Sequence, residues 1–152
     1  MDLDERLDSL GIKLPPVSGP FGAYVPARRA GNLIYVAGQL PMKDGKLLAI
    51  GRVPSKCSLE KAREAAKQCV VNALAAVQTL PGGVGIIGGV VRVGAFVNSD
   101  DSFTEQPKVA DAASEFLKEI LGDAGQHVRA AVGVNTLPRD ASVEIEVIFE
   151  AQ

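Results

Sequence analysis

Hydrophobic positions recur along this chain with two periods, and the changes between them divide it into elements. Residues 2–10 place Leu3, Leu7 and Leu10 on one side of a short amphipathic helix, which "KLPPVSGP" (13–20) breaks. "FGAYVPARRAGN" reads as a loop or hairpin turning at Gly31-Asn32, and "LIYVAGQLP" (33–41) as a strand apolar on both faces. "MKDGK" is a hairpin turn with Asp44-Gly45 at its tip, from which "LLAIGRV" returns as a further strand. Ser58 then stands as an N-cap before Leu59, Ala62, Ala66, Cys69, Val70, Ala73, Val77 and Leu80, which repeat at helical spacing over about 22 residues. Pro81-Gly82-Gly83 ends that helix, and "GGVVRVGAFVNS" (88–99) is a strand. Pro107 suits the first turn of another helix, whose apolar side carries Val109, Ala112, Ala113, Phe116, Leu117, Ile120 and Leu121, with Gly122 as its C-cap. Two last strands flank the turn "LPRDA" (137–141).

The order ββ(β)–α–β–α–ββ predicts an α+β fold, a mixed sheet with two helices packed on one face. Residues 1–152 read as one domain, with 1–19 as an N-terminal extension and no linker or internal repeat. Several strands are apolar on both faces, and no third helix is long enough to cover the open one. Association of subunits is the economical solution.

Composition narrows the function classes. Hydrophobic residues make up 47% and charged residues 22%, an ordinary globular mixture. The net charge of -2, the absence of Trp, and only five Phe and two Tyr argue against a nucleic-acid surface. The acidic start "MDLDERLDSL" lacks an apolar signal core, and no stretch approaches a membrane span. With Cys57 and Cys69 spaced for neither metal nor redox chemistry, the expected compartment is the cytoplasm.

Few residues carry candidate chemistry. "GVGIIG" (83–88) matches G-x-G-x-x-G, but a dinucleotide site needs the strand before the glycines and the helix after them, and here the order is reversed. Cys57, beside Lys56 and a helix start, lacks a nearby base and reads as inert, and Cys69 reads as core. His127, the single histidine, has no neighbouring ligand set for a metal; it reads as a backbone-bonded loop histidine or the wall of a pocket. Arg129 would share a strand face with the tiny Ala131 and Gly133. It is either a surface residue whose stem covers apolar area or a bidentate clamp for a carboxylate. Glu144 and Glu146 share one face of the last strand, a solvated face or a general acid/base. The second reading needs the "LPRDA" hairpin to lay 129–136 beside 142–149, within cross-strand reach.

"RAAVGVNTLPRDASVEIEVI" (129–148) resembles the ending characteristic of the RidA/YjgF family, and "AGNLIYVAGQLPM" (30–42) is similar to that family's N-terminal strand. The element order agrees, so the resemblance runs from about Pro20 to the end. "GDAGQHVRAAVGV" further resembles the branch labelled YjgF/chorismate-mutase-like or L-PSP endoribonuclease-like. The resemblance implies a chorismate-mutase-like fold, a homotrimer with pockets at its interfaces, and no metal or organic cofactor. Its best-understood members hydrolyse reactive 2-imino or enamine acids to 2-oxo acids and ammonia. On that pattern Arg129 would grip the substrate carboxylate and Glu144 would orient or activate water; Tyr24 would line the pocket and the Gly38 backbone would position the ligand. Three departures stand out. Ala37 replaces a serine, Ala131 stands where cysteine is common, and Asp111 falls near the place of a pocket asparagine, where its charge would repel an acidic ligand.

Three functions are therefore expected to compete. One is a 2-iminobutanoate/2-iminopropanoate-type deaminase acting on a small carboxylate substrate. Another is a trimer that binds carboxylate metabolites without turnover. The third, an endoribonuclease, fits the charge and aromatic content least.

Overall fold

The computed structural model describes residues 1–17 and 21–152. Helix α1 (Leu3–Ser9) is closed at its start by Asp2, whose carboxylate accepts the Glu5 N–H at 2.8 Å while Glu5 accepts the Asp2 N–H at 3.0 Å. Leu3 and Leu7 are buried, but Leu10 is exposed, because the helix has already ended at Ser9. The breaker at 13–20 lies partly, and the boundary at residue 19 wholly, outside the described residues.

Strands β1 (Ala27–Ala30) and β2 (Leu33–Gln39) form the hairpin expected at Gly31-Asn32. β3 (Met42–Lys43) and β4 (Lys46–Leu47) make a small ribbon whose turn residues, Asp44 and Gly45, have φ of 52° and 79°, both positive as a type I′ turn requires. The strand expected over 47–53 does not continue past Leu47. Gly51 sits at φ 95°, which no extended run tolerates, and only Ile50 and Val53 form isolated bridges, to Ala141 and Ser99.

Ser58 caps α2 (Leu59–Val77) by accepting the Lys61 N–H at 3.1 Å. The helix stops at Val77 rather than Leu80: the Thr79 hydroxyl donates to the Ala76 carbonyl at 2.7 Å, and Pro81 disfavours helical geometry at Leu80. The Gly83–Ile86 segment is a 3-10 turn that feeds β5 (Ile87–Asn98), so the glycine motif is a helix-to-strand turn. α3 (Gln106–Leu121) has Pro107 in its first turn and Gly122 as its cap at φ 63°. β6 (Val128–Val134) and β7 (Val143–Ala151) follow.

The main sheet runs β1-β2-β7-β5-β6, with only β5 and β6 parallel. This corrects the expected 129–136/142–149 hairpin. β6 and β7 do not touch as strands; β5 lies between them, and the "LPRDA" turn spans the gap. Arg129 therefore stands on an edge strand, in register with Val93, while Glu144 pairs with Phe96.

Helices α2 and α3 cover one face of the sheet. Val93, Ala95 and Val97 of β5 and Val143, Ile145, Val147 and Phe149 of β7 point into that layer and are buried. α2 faces it with Ala62, Ala65, Ala66, Cys69, Ala73 and Ala76, small side chains that let helix and sheet approach closely. The opposite face carries Tyr35, Phe96, Val128, Val132 and Ile148, of which Tyr35, Val128 and Val132 are exposed. Arg92, Glu144 and Glu146 lie on that face too, so the face the helices leave open in the single chain is apolar in part, around Tyr35, Val128 and Val132.

One buried polar residue ties helix to loop. Asn72, on α2, donates to the Leu40 and Met42 carbonyls at 2.9 and 3.0 Å and accepts from Gln68 at 3.0 Å. It fixes the segment that follows Gly38. Asn72→Ala strands two carbonyls in a nearly dry place, and we expect it to lower the unfolding free energy by about 2 kcal/mol in urea denaturation. An unchanged midpoint would show that water replaces the amide.

Candidate functional site

The alternation of β6 puts Arg129, Ala131 and Gly133 on one face, as the spacing implied, and that face is the one towards the helix layer. The space above them is shaped by α3. Asp111 and Ser114 are three residues apart on that helix and share a side. Arg129 is half-buried there, and its Nη1 donates to Asp111 Oδ1 at 2.8 Å and to Ser114 Oγ at 3.1 Å. These two bonds use both Nη1 hydrogens. Among the described residues Nε and Nη2 have no protein acceptor, which leaves one edge of the guanidinium as a two-donor fork. The cleft beside it has a volume of about 470 Å³ and is lined by Ser114, Lys118, Gly125, Gln126, His127 and Arg129.

Asp111 stands beside Arg129 as its ion-pair partner. Its side chain is 48% exposed, so solvent weakens the pair and an incoming carboxylate can compete with it. His127 meets both expectations for it: Nδ1 lies 2.7 Å from the Gly125 carbonyl, and the ring lines the cleft. Its Nε2 lies 2.9 Å from Ser114 Oγ.

The remaining expected residues lie elsewhere. Glu144 is half-buried on the opposite face of the sheet, so the single chain does not bring it to Arg129. It meets Gly38 instead: a Cβ on Gly38 would collide with the Glu144 carboxylate, so the glycine is what lets the two approach. Removal from water raises the Glu144 carboxyl above the usual range, and the neighbouring Glu146 carboxylate adds to the rise. Glu146 is itself paired with Arg92 at 3.1 Å. Ala37 is half-buried just before Gly38, with its N–H on the Pro26 carbonyl at 2.9 Å. Tyr24 is exposed in the loop before β1, 6.2 Å from the Phe21 ring centre to centre. Ala131 is half-buried opposite Ala95. The expected set is therefore split into an Arg129 half and a Gly38/Glu144 half.

Ser114 is a cleft residue that the sequence does not mark. Its signal was the Asp111/Ser114 spacing beside the apolar stripe of α3, which a mid-helix serine does not announce. Cys57 and Cys69 are both buried, and burial pushes the Cys69 thiol up, as an inert core residue requires. Among the described residues no cluster of three or more His, Cys, Asp or Glu could hold a metal, and no helix is long and apolar enough to cross a membrane.

Comparison with known proteins places the chain, over nearly all its length, among similar proteins. A family model described as YjgF/chorismate mutase-like, whose description adds endoribonuclease as an assumed activity, matches residues 4–150. Protein TCP17 of Trypanosoma cruzi is 36% identical over 146 residues, covering 95% of this chain and 91% of its own. A 2-iminobutanoate/2-iminopropanoate deaminase of Dermatophagoides farinae is 29% identical over 138 residues, covering 90% and 92%. A solved structure from Agrobacterium tumefaciens, of unknown function, is 41% identical with a TM-score of 0.89 over 99% of this chain and 93% of that one. The E. coli YjgF product is 25% identical with a TM-score of 0.63, over 90% and 93%.

The raised Glu144 carboxyl has a consequence for stability. An acid whose native pKa is raised contributes stability that is complete at low pH and is lost as pH climbs through that native value. Glu144→Gln removes the loss. We expect the variant to melt above wild type at neutral pH, with the difference vanishing at acid pH, by calorimetry. A variant that melts lower at neutral pH would contradict burial as the cause.

Proposed function

The chain belongs to the YjgF/chorismate mutase-like family, and from that premise we propose that it is a hydrolytic deaminase of small 2-imino or enamine acids, producing 2-oxo acids and ammonia. The observation that carries the reading is the free Nε/Nη2 edge of Arg129, held open to a cleft by the tethering of Nη1. A planar two-donor fork matches a carboxylate, and a Lys could not reproduce it. The relative from Dermatophagoides farinae carries this activity in its name.

The chemistry asks little of the protein. A protonated imine is already electrophilic. The site has to hold the carboxylate, so that the C=N carbon faces a fixed water, and keep bulk solvent from competing. Gly38 and Glu144 are suited to hold that water, but they lie across the sheet from Arg129 of their own chain. The reading therefore includes an assembly, a homotrimer in which the Arg129 edge of one copy meets the Gly38/Glu144 face of the next. The exposed Tyr35, Val128 and Val132 supply the apolar surface that such packing would cover.

Two features favour a second reading, a carboxylate-binding trimer without turnover: Ala37 offers no hydroxyl, and Asp111 already partly neutralises Arg129. RNA cleavage fits less well, since a chain of net charge -2 offers little to a phosphate backbone.

An imine-hydrolysis assay separates these readings. An amino acid oxidase generates 2-imino acids from a panel of amino acids, and semicarbazide traps what survives. We expect wild type to lower the trapped imine. Arg129→Ala should lose roughly 100-fold or more in kcat/KM, since each charge-assisted bond lost is worth about 1.5–3 kcal/mol. Gly38→Ala should fold normally, because it displaces only a flexible carboxylate end, yet lose most of its activity. Full trapping with wild type across the panel would leave the binding reading in its place.

Asp111→Asn tests the competition at the clamp. It should tighten 2-oxobutanoate binding by about 3- to 10-fold in calorimetry, as removal of a half-exposed opposing charge predicts. Weaker binding would mean that Asp111 positions Arg129 rather than competing for it.

A further inference from the structure

Donors and acceptors around Ser114 admit only one arrangement while His127 is neutral. The Gly125 carbonyl can only accept, so Nδ1 of His127, 2.7 Å away, carries the proton. The neutral ring then has a bare Nε2, which must accept. Ser114 Oγ lies 2.9 Å from it and donates its single hydrogen there. Arg129 can only donate, so the same Oγ accepts from Nη1 at 3.1 Å. A directed chain results, from Arg129 through Ser114 to His127, and all three side chains line one cleft. Its last member is a proton acceptor anchored from behind by a backbone carbonyl.

Protonation of Nε2 would reverse the middle link. The imidazolium would donate to Ser114 Oγ, and the serine hydrogen, no longer committed to the ring, could turn into the cleft. The charged groups around that cleft are Asp111 and Lys118 from α3 and Arg129 from β6. Asp111 is engaged by Arg129 Nη1. His127 is therefore the group with an uncommitted proton position on this wall.

We propose that Ser114 and His127 form a proton relay into the ligand site at Arg129, with His127 Nε2 as its terminal acceptor and the Ser114 hydroxyl as the connecting group. The relay rests on the deaminase reading for the reaction it serves. As water adds to the imine carbon, one water proton passes to Ser114 Oγ while the serine proton moves to Nε2. The imidazolium then returns a proton through Ser114 to the amine nitrogen. The C–N bond breaks, the hydroxyl oxygen forms the C=O, and ammonia leaves with that hydroxyl's proton as ammonium. Glu144 from a neighbouring copy holds the water, while the relay moves the proton. It also supplies on this wall a hydroxyl that Ala37 does not supply on the other.

Because the chain has one histidine, nitrogen NMR reads the relay without assignment. In the free protein with a neutral ring, we expect protonated Nδ1 and bare Nε2. Saturating 2-oxobutanoate should shift the Nε2 signal in wild type. Ser114→Ala, with binding verified by calorimetry, should lose that shift. An Nε2-protonated neutral ring, or a signal unmoved by bound 2-oxobutanoate, overturns the relay. Turnover gives the second arm. His127→Gln should lower kcat about 100-fold or more with little change in KM; Ser114→Ala should lower kcat as much and also raise KM, since it loosens the Arg129 tether, and both should abolish the pH limb that the same NMR series assigns to His127. Ser114→Thr, which keeps the hydroxyl, should restore it. Variants with the wild-type pH profile overturn the relay and leave the deaminase reading standing. Wild type inactive on every imino acid overturns that reading instead, and the NMR arm then decides whether the relay exists.

Discussion

A guanidinium half-buried between an edge strand and a helix must find acceptors for its hydrogens, and the site follows from how Arg129 does so. One nitrogen spends both hydrogens on α3, on Asp111 and Ser114. That tether fixes the plane of the group and leaves its other edge open to the cleft. The small residues that follow on the same face, Ala131 and Gly133, keep the strand close to the helix: a side chain at Gly133 would run into Gln106 and Ser99. The guanidinium is thus fixed by the protein's own bonds, and in the proposed function little ordering would remain for binding to supply.

The second constraint is topological. Placing β5 between β6 and β7 makes the longest strand an interior one, buried under the helices, and puts Arg129 on an edge. It also sets Glu144 on the other side of the sheet, against Gly38. One chain holds the Arg129 cleft and the Gly38/Glu144 contact on opposite sides of the sheet, together with exposed apolar residues on a sheet face that its own helices leave uncovered. In the proposed function a second copy would answer both needs at once, which is why assembly belongs to that reading.

Much of this was legible in the sequence because it depends on short-range rules. The period of α2, its Ser58 cap, the Asp44-Gly45 turn and the shared face of Arg129, Ala131 and Gly133 are local facts, and each appears where expected. The larger departures are non-local. Alternation in 143–147 announces a strand but does not name its neighbour, and a turn with Arg139 and Asp140 both at φ 59° serves a wide crossing as well as a hairpin. The run over 47–53 looked extended by composition, yet one left-handed glycine ends it. Ser114 stayed hidden because its importance lies in partners from β6 and from the turn after α3. Leu10 was misplaced by a single residue of helix length.

The most direct measurement is a crystal structure of the protein grown with 2-oxobutanoate. The account predicts a carboxylate across Arg129 Nε and Nη2, with Asp111 and Ser114 still on Nη1 or Asp111 displaced, and with Gly38 and Glu144 of a neighbouring copy across the cleft. A carboxylate bound away from Arg129, or bound there with no second copy within reach, would contradict it.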